Sequence, residues 1–198
     1  MTSPTRPSPI ADPPASTPMA AAPTSAGPGS VDWGQPRTKT TTWYDPMIGV
    51  GIGAGLSGLE FLRAVRDGRV APPPIAVLLG MGFSEIEYGR VVFSCEPDES
   101  VYSPIGMVHG GLVCTLADSV VGCAVHSMLV AGVGYASIDL NVSYLRSVTA
   151  QSGVLQAVGR VTKPGRRVAF AEAEITDGAG QVVATATSSL LIIDRRTA

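Results

Sequence analysis

The stretch from Ser103 to Asp118, SPIGMVHGGLVCTLAD, places a histidine and two glycines at the start of a long apolar segment. His109-Gly110-Gly111 follows a proline-glycine turn, and Asp118 lies about two helical turns further along. Glycines at a helix start leave backbone N–H groups accessible, and these groups can stabilise a developing oxyanion. A lone carboxylate in an apolar helix is costly unless it has partners or a function. The two features together indicate a site for chemistry on an acyl group.

Composition limits the classes to which the protein can belong. The 198 residues carry a formal net charge of -2, and 45% of them are hydrophobic. This predicts one domain with a full core and argues against nucleic-acid or anionic-membrane partners. The three cysteines have no framework spacing, which is typical of reduced thiols in a cytoplasmic protein. Because there are only two histidines, we expect no zinc site, and we expect no other metal or redox cofactor.

The first part of the chain differs from the rest. Residues 1–36 are rich in Pro, Ser, Thr and Ala and lack periodic apolar positions, which predicts a disordered tail without a signal peptide. Residues 37–73 are predicted to form a helical extension and a linker. The helix covers about residues 56–65 and ends at Gly68, and Pro72-Pro73-Pro74 then enforces an extended segment.

Residues 74–195 combine strand-like and helix-like patterns. A helix is predicted at about 110–129, where Asp118 and His126 favour a buried core helix over a membrane span. Six strands are predicted at 81–87, 90–96, 135–145, 154–162, 167–176 and 181–193. A helix that is apolar all round has to be covered on most sides. The sequence therefore predicts an α+β hotdog fold, in which a curved antiparallel sheet wraps around one long central helix.

The strand predicted at 135–145 has a regular period of two. Its even-numbered positions from 136 to 144 are apolar or aromatic, and its odd-numbered positions from 137 to 143 are polar. This alternation predicts a half-buried strand with one face toward the core and the other toward water.

Three motifs in this order carry a family resemblance. They are His109-Gly110-Gly111 with Asp118 nine positions after the histidine, the strand SIDLNVSY at 137–144, and the turn KPGRR at 163–167. Over about residues 74–193 the chain resembles the PaaI-type hotdog acyl-CoA thioesterases of the 4-hydroxybenzoyl-CoA thioesterase superfamily. The resemblance implies hydrolysis of an acyl-CoA to free acid and CoA without a cofactor.

The same resemblance implies roles for individual residues. Asp118 would be the nucleophile or general base, the Gly110 N–H would polarise the thioester carbonyl, and Ser137 would position the water or the substrate. Ser103 and His109 would arrange the water and the turn, and for His109 a structural role in holding the turn is favoured over proton transfer. The residues expected to bind substrate are Gly111, Tyr144, Arg146, Lys163, Arg166 and Arg167, of which the basic ones would contact CoA phosphates.

The spacing within the motif has a consequence for assembly. Gly110 and Asp118 are eight residues apart on one helix, which separates them by about 12 Å along its axis. One carbonyl carbon cannot contact both residues at hydrogen-bond distance. We therefore expect a homodimer in which each active site is shared between subunits, and a dimer of dimers is equally compatible with the motif.

Two alternative functions remain at this point. The family usually has Asn or Gln six residues before the histidine, where this chain has Ser103, so a non-catalytic acyl-CoA-binding protein is the first alternative. A hotdog hydratase or dehydratase is the second. That group usually has a catalytic His five residues after its Asp, and this chain has Cys123 there, which makes the second alternative weaker.

The predicted tail gives a first test. Deletion of residues 1–36 should leave the melting temperature and the turnover nearly unchanged, because that segment has no apolar periodicity with which to join a core. Differential scanning calorimetry and an activity assay on the shortened chain check this. A large drop in either quantity would show that the domain begins earlier than predicted.

Overall fold

The computed structural model describes residue 32 and residues 34–194, so the predicted tail at 1–36 lies almost entirely outside the described residues. Three short helices come first, and they are α1 (Pro46–Gly53), α2 (Gly58–Arg66) and α3 (Pro74–Leu79). The remaining elements are β1 (Met81–Glu87), β2 (Arg90–Cys95), α4 (Gly110–His126), β3 (Val133–Tyr144), β4 (Leu155–Lys163), β5 (Val168–Thr176) and β6 (Val182–Asp194). Two single 3-10 turns lie at Glu99–Val101 and Ala150–Ser152.

The six strands form one sheet in the order β1-β2-β4-β5-β6-β3, and every neighbouring pair is antiparallel. Helix α4 packs against β2, β3, β4, β5 and β6. The predicted α+β hotdog fold is confirmed, and the predicted strands agree with the observed ones to within two residues at each end.

Helix α4 supplies the centre of the core. Leu116, Ala117, Val120, Val121 and Ala124 have no solvent exposure and form one fully buried face of the helix. The residues of the opposite face, among them Thr115, Asp118 and Ser119, are half-buried, so no residue from 112 to 126 is exposed. This agrees with the all-round apolar sequence of the helix. The helix ends at His126, three residues earlier than predicted.

Tight turns join the strands at the predicted places. Gly89 adopts a φ of 74° between β1 and β2, a conformation that favours glycine. Between β5 and β6, the Asp177 carboxylate accepts the N–H groups of Ala179 and Gln181, and Gly180 has a φ of 76°. These side-chain bonds stabilise the turn locally and fix the register of the last two strands.

The half-buried prediction for 135–145 is confirmed at 140–143, where Leu140 and Val142 pack against the core and alternate with exposed polar residues. It is wrong at 136–139. Residues 136–139 are all exposed, and Ile138 has 57% of its surface accessible. Strand β3 lies at the edge of the sheet and pairs only with β6. A register shift between Ser137 and Asp139 also interrupts the period of two, because a bulge changes which side chains face the helix.

The N-terminal extension is more helical than predicted. Helix α2 matches the prediction and begins with a capping box in which Ser57 and Glu60 bond each other's backbone. The extended segment ends at Pro73, because Pro74 is the first residue of α3, where the missing N–H costs nothing. Helix α1, which was not predicted, starts in the same way with Pro46 after the capping residue Asp45.

Helix α2 starts directly on the end of α4. The Gly58 N–H donates to the Leu129 carbonyl at 2.9 Å, and a Cβ at Gly58 would lie 1.7 Å from the His126 carbonyl oxygen. Only glycine permits this approach, so the position of α2 is fixed relative to the central helix.

Two further findings concern the sequence expectations. All three cysteines are free, as predicted. None of the helices in the described part of the chain is both long and apolar enough to cross a bilayer.

The contact between α4 and β4 predicts a stability effect. Gly159→Ala would place a Cβ 2.5 Å from the Val120 carbonyl oxygen, so the helix and strand would have to separate. We expect a loss of about 1–3 kcal/mol in the free energy of unfolding. This corresponds to roughly 2–4 °C in melting temperature for each kcal/mol.

Gly82→Ala is the matched control, because it also lies in a strand but its Cβ would meet nothing closer than Ser94 Oγ at 4.0 Å. Its melting temperature should stay close to that of the wild type. Equal melting temperatures for Gly159→Ala and Gly82→Ala would contradict the tight helix–strand contact.

Candidate active site

The carboxylate of Asp118 and the hydroxyl of Ser137 meet between α4 and β3. Ser137 Oγ donates to Asp118 Oδ1 at 2.7 Å. Both residues line a pocket of about 380 Å³, together with Cys114 and Thr115 of the helix. In the described chain no donor reaches Asp118 Oδ2. The serine therefore orients the carboxylate through one oxygen and leaves the other free to accept a proton.

A β-bulge places Ser137 at the helix. The register with β6 skips one residue between Ser137 and Asp139, so Ile138 has no partner on the neighbouring strand. The chain is held on the far side of the bulge by Asp139, whose carbonyl accepts the Ser188 hydroxyl at 2.7 Å and whose carboxylate accepts the Ser189 N–H. Bulges often occur beside active sites because they redirect a single side chain.

His109 is the N-cap of α4. Its Nδ1 accepts the Gly111 N–H at 2.8 Å, which requires an unprotonated Nδ1. This bond supports the structural role favoured for His109. Gly111 is a predicted substrate-binding residue, and this bond means that its N–H already has an acceptor within the chain. Across residues 34–194, no acceptor is found for the Gly110 N–H.

Tyr144 covers the start of the same helix. Its hydroxyl donates to the Gly110 carbonyl at 3.0 Å, and a Cβ at Gly110 would lie 3.2 Å from the ring. The structure thus brings together Gly110 and Tyr144, which the sequence assigned to separate roles. Glycine at position 110 keeps the backbone of the helix start accessible beside the aromatic ring.

Ser103 forms its hydrogen bonds within its own turn. Its N–H and its hydroxyl both donate to the Met107 carbonyl, at 2.7 Å and 3.0 Å. The hydroxyl stabilises the loop that leads into α4 and makes no bond to Asp118 or Ser137. In this conformation Ser103 does not replace the amide that the family usually has at this position.

The predicted basic residues lie at the ends of strands β3 and β4 and in the turn after β4. Lys163, at the end of β4, has its Nζ 6.0 Å from the centroid of the Phe170 ring. Arg166 and Arg167 follow in the β4–β5 turn and are exposed, as is Arg146 after β3. None of these four side chains lines the Asp118 pocket. Lys163, Arg166 and Arg167 lie at the β4–β5 turn, whereas Arg146 bonds to Val183 at the opposite end of β6 from Ile192, the partner of Arg167.

Sequence reasoning missed Tyr135, a β3 residue that packs against α4 about one turn beyond Asp118. Its hydroxyl occupies the space where a Cβ at Gly122 would lie, at 2.5 Å. Burial, the neighbouring Cys123 and the Asp118 charge all raise the pKa of Tyr135. A glycine in the middle of an apolar helix was the available signal, because it marks a close approach by another group.

Cys123 is not a nucleophile. Burial, with a smaller contribution from the Asp118 charge, raises the pKa of its thiol to about 12. The thiol therefore stays protonated at neutral pH, as expected for a core cysteine.

Sequence comparison relates this chain to known thioesterases. The family model of the thioesterase superfamily matches residues 105–184. Human acyl-coenzyme A thioesterase 13 is 28% identical over 97 residues, which cover 48% of this chain and 68% of that protein. The 1,4-dihydroxy-2-naphthoyl-CoA hydrolase of Listeria monocytogenes is 22% identical over 118 residues, which cover 60% of this chain and 94% of that protein.

Solved structures show the same fold. A phenylacetic acid degradation-related protein of Ralstonia eutropha superposes with a TM-score of 0.61 at 26% identity, covering 66% of this chain and 98% of the other. The PaaI protein of E. coli superposes with a TM-score of 0.60 at 22% identity, covering 70% of this chain and 96% of the other. Residues 105–184 therefore resemble the thioesterase superfamily, and the chain has the hotdog fold of PaaI-type proteins. Together with the related acyl-CoA thioesterase, these findings support a thioester hydrolase.

Proposed function

We propose that this protein hydrolyses acyl-CoA thioesters to the free acid and CoA, with Asp118 as the residue that activates water. The observation that carries the proposal is the 2.7 Å hydrogen bond from Ser137 to Asp118 at the edge of an open pocket. Two relatives similar to this chain are named as an acyl-coenzyme A thioesterase and a CoA hydrolase, which supports the choice of CoA esters.

The reaction needs only groups that the chain supplies. Asp118 Oδ2 accepts a proton from water while the water oxygen bonds to the thioester carbon. The carbonyl oxygen becomes an oxyanion, which accepts the N–H of Gly110 at the positive end of a helix. When the intermediate collapses, the carbon–sulfur bond breaks and CoA leaves as the thiolate, while the carboxyl product remains.

The oxyanion donor has to come from another subunit. Gly110 and Asp118 lie on the same continuous helix, about 12 Å apart along its axis. Strand β3 supports self-association, because its outer edge has no partner strand and Ile138 and Tyr144 are more than half exposed. The proposed unit is a homodimer with two shared sites, and it is compatible with assembly of two dimers into a tetramer.

The basic turn between β4 and β5 is the proposed contact for the CoA phosphates. Within the described residues, no carboxylate forms an ion pair with Arg166 or Arg167. Exposed arginines without a protein partner are suited to binding phosphate through their planar groups.

A non-catalytic acyl-CoA-binding protein is the second candidate function. The observation in its favour is that Ser103 donates within its own turn, which leaves the site without the amide that the family usually provides. The hydratase alternative has weaker support, because the buried thiol of Cys123 stands where that group has a catalytic histidine.

Asp118→Asn separates the two candidates. The substitution keeps the side-chain volume but removes the base, so the turnover number should fall by at least about 100-fold. Release of thiol from acyl-CoA esters measures the rate, and calorimetry with a non-hydrolysable S-alkyl-CoA measures binding. Affinity should be kept within a few-fold because the lost interaction acts in the transition state. Unchanged hydrolysis by Asp118→Asn would refute the assigned role.

Mixing two inactive variants tests the shared site. Gly110→Val blocks the oxyanion position and Asp118→Asn removes the base, so each homodimer should be nearly inactive. In a mixed dimer one site has both changes and the other has neither. With random pairing, about half the dimers are mixed, and activity should recover to about a quarter of the wild-type value.

Mass spectrometry confirms subunit exchange, and melting curves confirm that both variants fold. The second control matters because a Cβ at Gly110 would press on the Tyr144 ring. Absence of recovery under these conditions would mean that each site lies within one chain.

A further inference from the structure

A second and larger cavity lies beneath the N-terminal helices. Its volume is about 630 Å³, within the range of about 300–1000 Å³ typical of small-molecule sites. Helices α1, α2 and α3 form one wall, and α4 with β1 forms the other. The family model begins at residue 105, so the three helices that enclose this cavity lie outside it.

The cavity begins at the residue that follows the proposed catalytic Asp118. Ser119, Cys123 and His126 of α4 line it, and Ser119 is the residue next to Asp118. Tyr135 also lines it and lies against Gly122, which is about 6 Å beyond Asp118 along the helix axis. Tyr135 therefore lines the cavity at the place where strand β3 meets α4 beyond Asp118.

Three aromatic rings line the cavity where α2, α4 and β3 meet. The Phe61 and His126 rings lie 5.7 Å apart between centroids, and the His126 and Tyr135 rings are separated by the same distance. Burial lowers the pKa of His126, which keeps its ring neutral. Phe83 stacks on Phe93 deeper in the cavity, at a centroid distance of 4.5 Å.

The charged groups at the rim already have partners. The Asp45 carboxylate accepts the Met47 N–H as the cap of α1, and Arg66 Nε donates to Asp67 at 2.8 Å. A ligand with a charge at its far end would find no free counter-charge at either side chain. The cavity is thus suited to an uncharged apolar group.

We propose that this cavity binds the acyl chain of the substrate and selects medium and long uncharged aliphatic chains. The inference rests on the proposed function, because Asp118 has to act on a thioester whose chain extends past Tyr135. An acetyl group would reach only the Asp118 pocket, whereas a dodecanoyl chain would continue along α4 under the N-terminal helices. The length of the acyl chain is then recognised by the N-terminal helices, which lie outside the family model.

Binding of non-hydrolysable S-alkyl-CoA thioethers to the full chain tests the proposal without turnover. The wild-type affinity should rise by up to about fourfold for each methylene added between S-methyl-CoA and S-dodecyl-CoA. Isothermal titration calorimetry measures the series. An affinity that does not change with chain length overturns the proposal.

Gly49→Leu localises the effect to this cavity. Gly49 lines the cavity from α1, and a Cβ there would meet only Val70 at 3.4 Å, so a leucine would add volume at the cavity wall. Gly51→Leu is the matched control, because it adds the same side chain to the same helix where nothing lies within 4 Å. Gly49→Leu should lose at least tenfold in affinity for S-dodecyl-CoA and less than twofold for S-methyl-CoA, while Gly51→Leu keeps both affinities.

A second pair of variants makes the test independent of how Gly49→Leu folds. Ile75 and Leu78 both lie on α3 and are about half exposed, but only Ile75 lines the cavity. Ile75→Trp should reduce S-dodecyl-CoA binding selectively, and Leu78→Trp should not. Equal effects within either pair of folded variants overturn the assignment of the cavity.

Hydrolysis assays on acetyl-, octanoyl-, dodecanoyl- and hexadecanoyl-CoA distinguish this proposal from the proposed function. Turnover of all four esters at equal kcat/KM would overturn the acyl-chain cavity and leave the thioesterase proposal intact. Chain-dependent thioether binding without any turnover would support the cavity and overturn the proposed hydrolysis.

Discussion

Enclosure of helix α4 by the sheet is the constraint on which the rest of the structure depends. One face of the helix, which includes Leu116, Ala117 and Val121, is fully buried, and the opposite face is half-buried rather than exposed. A surface helix with one solvent-exposed face does not have this pattern. Glycines permit the close contacts that this enclosure requires. Gly159 lets β4 approach the Val120 carbonyl, and Gly58 lets α2 approach the end of the helix. The free energy of folding thus depends on backbone contacts that a single methyl group would disturb.

The proposed active site occupies the part of α4 that the sheet leaves accessible. Asp118 is only partly buried, so its carboxylate avoids the cost of full desolvation while it retains one oriented hydrogen bond. The bulge in β3 turns Ser137 toward it, and His109 fixes the start of the helix by accepting the Gly111 N–H. The arrangement joins a rigid core to an exposed edge strand, which is where a second subunit would complete the proposed site.

The N-terminal helices add a layer that the family model does not include. Helix α2 is anchored to the end of α4 through Gly58, whereas α1 has no buried residue and many exposed apolar side chains. A layer that is fixed at one end and loosely packed at the other encloses space without filling it. That difference in packing accounts for a large apolar cavity next to a well-packed core.

The amino-acid sequence by itself determined the six strands, helices α2 and α4 and the identity of the catalytic candidates, but not helices α1 and α3. Periods of two and the all-round apolar helix are local properties, so the strands, α4 and its cap at His109 could be read directly from residue order. Spacing along a helix is also local, and it separated Gly110 from Asp118 without reference to any other part of the chain.

Only the tertiary structure decided how distant residues combine. The pairing of Ser137 with Asp118 depends on a bulge in the ladder with β6, and the place of Tyr135 over Gly122 depends on where β3 crosses the helix. The hydroxyl of Ser103 donates to the Met107 carbonyl within its own loop, and the residue type alone could not predict this partner. The cavity, finally, is formed by segments far apart in sequence. No local pattern encodes the space between them, because that space is set by how closely whole elements can pack.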